Sequence, residues 1–170
     1  MIYWATTIKG EFKKTYSAME SGYNHRIYYV TTKDFITFSE TKLLYDPGFN
    51  VIDATIVLDG RRFVMIMKDE TREPVQKNLK IAYSNNLTGP YSEASAPITG
   101  NYWAEGPTAI KVDGKWMVYF DRYCEGKYNA ISSSDLIVWT NISDKISLPA
   151  GIRHGSIFTV NAKLFNSLIK

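Results

Sequence analysis

The sequence contains a single cysteine, Cys124, which excludes an internal disulfide framework. No Cys/His signature surrounds it, so we expect a buried thiol rather than a nucleophile. No apolar run approaches the length of a membrane span, and no signal peptide is visible. The formal net charge is only +3 with both signs interspersed, which argues against a nucleic-acid-binding patch. Disulfide-stapled, membrane-spanning and nucleic-acid-binding classes are therefore disfavoured.

The 170 residues are instead rich in apolar and aromatic side chains. Hydrophobic residues make up 45% of the chain and aromatic residues 14%, including twelve tyrosines and four tryptophans. This composition is typical of a packed β protein with a sizeable core, and it also suits sugar recognition.

The stretch from Asn101 to Tyr123 combines aromatic residues, a carboxylate and a hairpin signal. Two aromatics, Tyr102 and Trp103, precede a carboxylate, Glu105, and Gly-Pro then interrupts local order. An Asp-Gly pair between two apolar runs follows, which is the strongest short hairpin signal. A carboxylate beside aromatics at a strand mouth is typical of sugar-cleaving acids. The alternative is that Glu105 only belongs to a polar turn.

The same plan recurs one unit earlier, from Ile52 to Met67. Asp53 precedes an apolar strand, an Asp-Gly pair and a second apolar strand. The two Asp-Gly pairs are 113 − 59 = 54 residues apart, and the leading carboxylates are 105 − 53 = 52 apart. Repetition of the plan favours a role for Asp53 and Glu105 beyond polar turns.

A second element occurs three times, at Ile27–Ser39, Ile81–Ser92 and Ala130–Thr140. Each copy has a short strand, a Ser/Thr pair, Asp or Asn, an apolar residue and an aromatic followed by Ser or Thr. A period near fifty residues with about four strands per unit predicts β-propeller blades. Two-layer sandwiches also contain many short strands but rarely repeat at a fixed period.

The repeats divide the chain into a blade remnant (1–46), two blades (47–99 and 100–149), and a closing strand with a short terminal helix (150–170). The predicted strands are Ile2–Ile8, part of Tyr23–Ser39, Thr41–Tyr45, Ile52–Leu58, Phe63–Lys68, Leu79–Tyr83, Tyr91–Pro97, Thr108–Val112, Trp116–Asp121, Tyr128–Ser132 and Ile142–Leu148. A polar loop is expected from Lys9 to Gly22.

This count predicts an all-β partial propeller of about three blades plus one strand. The predicted strand at the start of the chain, Ile2–Ile8, is expected to be the second strand of its blade. A propeller needs about four or more blades to close, so we expect missing N-terminal blades or a second copy of the chain to complete the ring. We favour missing blades.

In their order and spacing these motifs resemble the C-terminal part of the five-bladed β-propeller glycosidases of glycoside hydrolase family 43. These are arabinofuranosidases, xylosidases and arabinanases that act mostly on plant polysaccharides. The resemblance covers residues 1 to about 165. It is carried by Val51-Ile52-Asp53-Ala54, Ala104-Glu105-Gly106-Pro107, the repeated Ser-x-Asp-Leu-x-x-Trp element and Arg153-His154-Gly155-Ser156.

The resemblance implies three carboxylates lining a central funnel. Glu105 matches the general acid, and Asp53 matches the aspartate that orients the acid and tunes its pKa. The family's general base, an aspartate in the first blade, has no match here, and Asp46-Pro47 lies in a link between blades, so the role is not transferred. His154 matches a histidine near the axis, where many members hold a calcium ion or a water cluster. No cofactor is required, and a structural calcium is a possibility.

Inverting glycosidases need two carboxyl groups about 6.5–9.5 Å apart, one of which stays protonated. Asp53 as a neighbouring anion, and Tyr102 and Trp103 as a desolvating wall, are expected to raise the pKa of Glu105. Trp103 is a candidate for stacking on a sugar ring, or else for packing between blades.

Three further residues are candidates for the rim of the site. Arg153 could pair with a funnel carboxylate or a sugar hydroxyl, or lie on the plain surface. His25 and Asp121 are candidate rim residues. Because a histidine beside glycine is usually structural, the ligand role of His154 stays open.

Three functions are compatible with these patterns. The first is an inverting hydrolase of arabinose- or xylose-containing saccharides whose base is missing from this chain, which leaves the chain alone nearly inactive. The second is a non-catalytic carbohydrate-binding propeller. The third, a structural or interaction propeller, leaves the recurring carboxylates unexplained. For the complete protein we expect secretion or a periplasmic location.

Overall fold

The computed structural model describes residues 1–15, 23–149 and 151–169, and these residues form an all-β fold. The predicted polar loop from Lys9 to Gly22 falls partly outside them. The strands are β1 (Ile2–Thr6), β2 (Arg26–Val30), β3 (Lys42–Tyr45), β4 (Val51–Asp59), β5 (Arg62–Asp69), β6 (Asn78–Ser84), β7 (Glu105–Val112), β8 (Lys115–Arg122), β9 (Lys127–Ser133) and β10 (Thr140–Asn141).

The strands form three antiparallel meanders in chain order. Sheet 1 contains β1-β2-β3, sheet 2 contains β4-β5-β6, and sheet 3 contains β7-β8-β9-β10. β4 and β7, the first strands of sheets 2 and 3, contact each other. None of the described helices has the length and hydrophobicity that a membrane crossing requires.

Strand β5 shows why the sheets stack face to face. Its side chains alternate between the two faces of sheet 2, as the period of a β-strand requires. Val64 and Ile66 join an apolar cluster with residues of sheet 3 such as Phe120. Met65 and Met67 join a second cluster with residues of sheet 1, and all four β5 side chains are fully buried. Sheet 2 is thus covered on both faces, as an inner propeller blade is.

The two inner hairpins differ at their turns. In the β7–β8 hairpin both Asp113 and Gly114 have positive φ, as in a type I′ turn. In the β4–β5 hairpin Asp59 pairs with Arg62, and Gly60 alone of the turn residues has positive φ. The prediction that both Asp-Gly pairs occupy the same place is therefore wrong by one residue. Asp59 instead ends its strand, where its carboxylate accepts a 3.1 Å bond from Trp116 Nε1 of sheet 3.

The same offset applies to the two leading carboxylates. Ile52 pairs with Lys68 in sheet 2, whereas Glu105 pairs with Asp121 in sheet 3. A bulge follows each pair, so Asp53 is the counterpart of Gly106, and both have positive φ. The predicted equivalence of Asp53 and Glu105 is thus corrected: they occupy neighbouring, not identical, positions of the repeat.

The predicted outer strand Tyr91–Pro97 is not a regular strand. Backbone amides of Ser92, Ser95 and Ile98 donate to carbonyls of β6, at a spacing of three residues rather than two. The hydroxyls of Ser92 and Ser95 also accept from β6 amides. These serine bonds satisfy the β6 edge without a β ladder.

The other outer elements are also shorter than predicted. In place of a strand over Ile142–Leu148, the structure has the two-residue β10 and a 3₁₀ helix at Ser143–Lys145. The predicted closing strand within 150–170 is absent, since described residues 151–160 have no β pairing. Residue 150 lies outside the described part.

The terminal helix is confirmed. It is α1 (Ala162–Leu168), and Asn161 caps it through a 2.9 Å bond from the amide of Leu164 to its side chain. A short 3₁₀ helix also lies at Lys13–Thr15. Cys124, expected to be buried, is exposed.

In sheets 1 and 3 the recurring element contains a loop stabilised by an aspartate side chain. The Asp135 carboxylate accepts bonds from the amides of Ile137 and Val138, and these bonds lower its pKa. Asp34 does the same in sheet 1, where backbone bonds lower its pKa to about 2. An apolar residue follows each aspartate. Leu136, after Asp135, is 3% exposed, and its carbonyl accepts a hydrogen bond from the Tyr83 hydroxyl of sheet 2. Phe35, after Asp34, is 75% exposed.

Removing one face of β5 should weaken one sheet interface. We expect Ile66→Ala to lower the free energy of unfolding by about 2–5 kcal/mol, because it leaves a cavity between sheets 2 and 3. Ile36→Ala, at a side chain that is 82% exposed, should change it by less than about 0.5 kcal/mol. Urea unfolding followed by tryptophan fluorescence measures both. Equal effects would show that the core is not at β5.

Candidate active site

The two carboxylates predicted from the sequence, Asp53 and Glu105, lie close together in the structure. Asp53 lies at the start of β4 and Glu105 at the start of β7, on the two inner strands that contact each other. One ligand atom each from Asp53, Glu105 and His154 lies within 4.8 Å of the other two. Stacked sheets thus bring together groups 52 and 49 residues apart in sequence, and this group is the candidate site.

Glu105 is held by three basic side chains. Its Oε2 accepts a 2.9 Å bond from Lys68 Nζ. Its Oε1 is 3.0 Å from His154 Nε2 and accepts a 3.2 Å bond from Arg153 Nη2. The carboxylate is 17% exposed, so these contacts are only partly screened by solvent. The pairing of Arg153 with a funnel carboxylate, one of the alternatives for this residue, is what the structure shows.

The proton affinity of Glu105 differs from the expectation. Burial raises its pKa, but the hydrogen bonds and charges of Lys68 and His154 outweigh burial, so the pKa is lowered overall. Asp53 directs its Oδ2 at the backbone amide of Gly106, at 3.0 Å. The predicted raised pKa is therefore wrong for this chain, in which Glu105 is a carboxylate at neutral pH.

Lys68, which belongs to none of the sequence motifs above, is central to the site. Its side chain is 2% exposed and lies between Glu105 and Glu70, 2.7 Å from Glu70 Oε2. Its Nζ is also 4.5 Å from the ring centroid of Tyr123. Burial lowers the pKa of Lys68, but bonds to Glu70 and Glu105 more than reverse that effect. The sequence feature that could have identified Lys68 is its position directly after the apolar run Phe63–Met67.

Asp121 is not a rim residue. Its side chain is fully buried and forms an ion pair with Arg153 Nε. Arg153 therefore bridges Asp121 and Glu105 while its own side chain is 54% exposed. Asp121 acts on the candidate site through Arg153 rather than by direct exposure to a ligand.

His154 packs directly against Gly106, where a larger residue would displace the imidazole. A Cβ at Gly106 would lie 2.4 Å from His154 Nδ1, and Gly106 has φ +57°. Pro107 follows within β7. The Gly-Pro pair after Glu105 thus gives room for the imidazole and permits the bulge.

The aromatic candidates have different surroundings. Trp103 is 42% exposed, and its ring lies 5.8 Å from that of Tyr123, beside Lys68. Tyr102 stacks on Phe120 at 6.0 Å and packs against the core. Trp103 is therefore the more accessible surface, and neither ring is among the hydrogen-bond partners of Glu105.

His25 lies apart from the carboxylate group. Its Nδ1 is 3.1 Å from Asn50 Oδ1, and its ring meets Tyr23 edge-on at 4.9 Å. Tyr23 donates to Glu70, which pairs with Lys68, so the contacts of His25 lead to Glu105 indirectly, through Glu70 and Lys68.

The donor set is a poor fit for calcium. Calcium takes six to eight oxygen ligands, whereas Asp53, Glu105 and His154 offer one nitrogen and two carboxylates. Lys68 and Arg153 already neutralise Glu105. We therefore derive no catalytic step through a metal.

The three stacked sheets form a partial β-propeller of the kind found in glycoside hydrolases. A family model described as a probable glycosyl hydrolase domain, related to glycoside hydrolase family 43, matches residues 1–165. The chain belongs to this family, which confirms the resemblance drawn from the motifs.

Solved structures share the fold. A thermostable family-43 glycoside hydrolase matches with a TM-score of 0.58 and 19% identity, over 80% of this chain and 53% of that one. An α-L-arabinofuranosidase from Lactobacillus brevis matches with a TM-score of 0.56 and 16% identity, over 82% of this chain and 49% of that one. A family-62 α-L-arabinofuranosidase catalytic domain from Coprinopsis cinerea matches with a TM-score of 0.56 and 14% identity, over 83% of this chain and 50% of that one. The chain spans about half the length of these structures. No curated protein matches it.

A methyl group at Gly106 should displace His154. We expect Gly106→Ala to break the contact between His154 and Glu105, because the new Cβ overlaps the imidazole. Gly60→Ala is the matched control, since Gly60 also has positive φ but open space around it. The chain has two histidines, so ¹⁵N imidazole shifts report on His154 directly. An unchanged His154 signal in Gly106→Ala would contradict this packing.

The ion pairs of Glu105 should make stability depend on pH. Because the folded-state pKa is lowered, their contribution is fully present above the ordinary value of 4.5 and is lost as pH falls through the folded value. We expect Glu105→Gln to cost about 1–3 kcal/mol at pH 7 and progressively less below about pH 4.5. Urea unfolding between pH 3 and 7 measures this. The exposed Glu40→Gln is the control, and a cost independent of pH would refute the ion pairs.

Proposed function

We propose that this chain is part of a glycoside hydrolase that acts on arabinose- or xylose-containing saccharides with inversion. Glu105 is its general acid and Asp53 the residue that orients the acid. The observation that carries the proposal is the convergence of Asp53, Glu105 and His154 within 4.8 Å at the start of two adjacent inner strands.

The spacing assigns different roles to the two carboxylates. An inverting pair is separated by about 6.5–9.5 Å to admit a water, and oxygens of Asp53 and Glu105 approach within 4.8 Å. Asp53 is therefore too close to serve as the base. Its bond to the Gly106 amide, on the residue after Glu105, suits a positioning role.

Of the residues that the structure describes, the other carboxylates next to Glu105 do not suit the role of base. Glu70 and Asp121 are buried carboxylates next to the site, but Lys68 separates one from Glu105 and Arg153 separates the other. Neither is placed to activate a water. We propose that further blades of the protein, or less favourably a second copy, bring a carboxylate to the opposite side of the sugar. The coverage of about half of the similar structures supports this.

The acid must gain a proton before it can act. Arg153 and His154 come from residues 151–160, which have no β pairing, and their side chains are about half exposed. A sugar bound at Glu105 would displace these contacts and exclude water, and both changes favour the protonated carboxyl. The rate should then fall as pH rises through the pKa of Glu105 in the complex.

A second candidate, carbohydrate binding without catalysis, is favoured by the lowered pKa of Glu105. An ionised carboxylate accepts hydrogen bonds from sugar hydroxyls but cannot protonate a leaving group. Exposed Trp103 nearby would offer a stacking surface in either case.

The test compares hydrolysis with binding in the protein as its source produces it. We expect Glu105→Gln to reduce kcat on 4-nitrophenyl α-L-arabinofuranoside or β-D-xyloside by about 10²–10⁴-fold, with binding of the matching oligosaccharide retained. The control is Glu125→Gln, at an exposed glutamate outside the site. The 170-residue chain alone should hydrolyse these substrates barely above background.

Three outcomes would overturn the assignment. Wild-type turnover by Glu105→Gln would exclude Glu105 as the acid. Clear hydrolysis by the 170-residue chain would show that the base lies within it. Oligosaccharide binding without hydrolysis by the source protein would establish the second candidate.

A further inference from the structure

We infer that Lys68 is a positioning residue of this site, which fixes one oxygen of Glu105 and leaves the other as the oxygen that meets the substrate. The inference rests on the proposed function, since it assigns the donating atom of the proposed acid. The contacts of Lys68 themselves are independent of that function.

The two oxygens of Glu105 are not equivalent. Oε2 is bonded to Lys68, whose side chain is 2% exposed and cannot give way to a ligand. Oε1 is bonded to Arg153 and His154, whose side chains are 54% and 48% exposed and belong to a segment without β pairing. A sugar can replace the second set of contacts but not the first, so Oε1 is the oxygen that would carry the proton.

Lys68 is itself immobilised from the opposite side. Glu70 Oε2 lies 2.7 Å from its Nζ, and Tyr123 contributes both a hydroxyl at 3.4 Å and a ring face. Glu70 is in turn bonded by Lys77 and by the Tyr23 hydroxyl. A buried ammonium held by several partners keeps one geometry, unlike a surface lysine that samples many rotamers.

The internal repeat shows that Lys68 occupies a position suited to this task. Lys68 pairs with Ile52 in sheet 2, and Asp121 pairs with Glu105 at the corresponding position of sheet 3. The same point of two successive sheets thus carries a buried cation in sheet 2 and a buried anion in sheet 3. Lys68 contacts Glu105 directly, and Asp121 acts through Arg153.

The titratable and charged groups around Glu105 define what the experiment must separate. They are Lys68 and Glu70 from β5 and the residue after it, Asp53 from β4, Asp121 and Tyr123 from β8 and its end, and Arg153 and His154 from the tail. Of the cations among these, Lys68 alone contacts Oε2.

The test uses the 170-residue chain with ¹³C-labelled glutamate side chains, and Glu105→Gln to assign the Glu105 signal. Lys68→Met should raise the pKa of Glu105 by about one unit or more. Lys68→Arg, which keeps the charge, should restore most of the wild-type value. Lys80→Met is the matched control, because it removes a partly buried lysine paired with Asp69 on the neighbouring strand without touching Glu105.

Where Lys68→Met does not fold, Lys68→Met/Glu70→Gln removes both charges of the pair and gives the same readout. A Glu105 titration identical in wild type, Lys68→Met and Lys80→Met would overturn the inference. Restoration of the titration by arginine is the result that a merely space-filling lysine would not produce.

Kinetics on the active protein then distinguish this inference from the proposed function. Lys68→Met should lower kcat about 10-fold or more with little change in KM, and should shift the pH profile upward. If the titration moves but no variant or wild-type protein cleaves glycosides, the hydrolase proposal fails and the contact stands. If cleavage depends on Glu105 but the Lys68→Met kinetics match those of Lys80→Met, the inference fails and the hydrolase proposal stands.

Discussion

The burial of sheet 2 on both faces is the constraint on which the rest of the structure depends. Each core side chain of β5 must match one neighbouring sheet, with Val64 and Ile66 facing sheet 3 and Met65 and Met67 facing sheet 1. This packing sets β4 beside β7 and thereby brings Asp53 to Glu105. It also explains Lys68: near its end, the strand that fills both interfaces carries a buried ammonium, which is tolerated because Glu70 and Glu105 neutralise it.

Local patterns in the sequence were sufficient to predict the inner strands, because alternation and Asp-Gly turns are short-range signals. The convergence of Asp53 and Glu105 followed from the repeat and the family resemblance. The outer strands were not predictable in the same way. The hydroxyls of Ser92 and Ser95 accept hydrogen bonds from β6 amides that the backbone of a paired strand would otherwise accept. The pattern of apolar residues does not reveal this substitution of side chain for backbone.

The electrostatics of the site were the least predictable part. A carboxylate beside two aromatics suggested a desolvated acid, but Tyr102 packs into the core, and the cations Lys68 and Arg153 contact Glu105. Lys68 is 37 residues from Glu105 in sequence and Arg153 is 48. Which of them reaches which oxygen depends on blade stacking and bulges, and no spacing rule encodes it. The one-residue offset between Asp53 and Glu105 has the same origin.

The meander topology has a consequence for how the molecule forms. Each sheet pairs strands that are neighbours in sequence, and such short-range contacts close quickly in folding. The contacts of Glu105 span 37 to 49 residues and cross from one sheet to the next or to the tail. Folding should therefore produce ordered sheets before the charged cluster is assembled. Partly folded chains would then carry native-like hairpins and no functional centre.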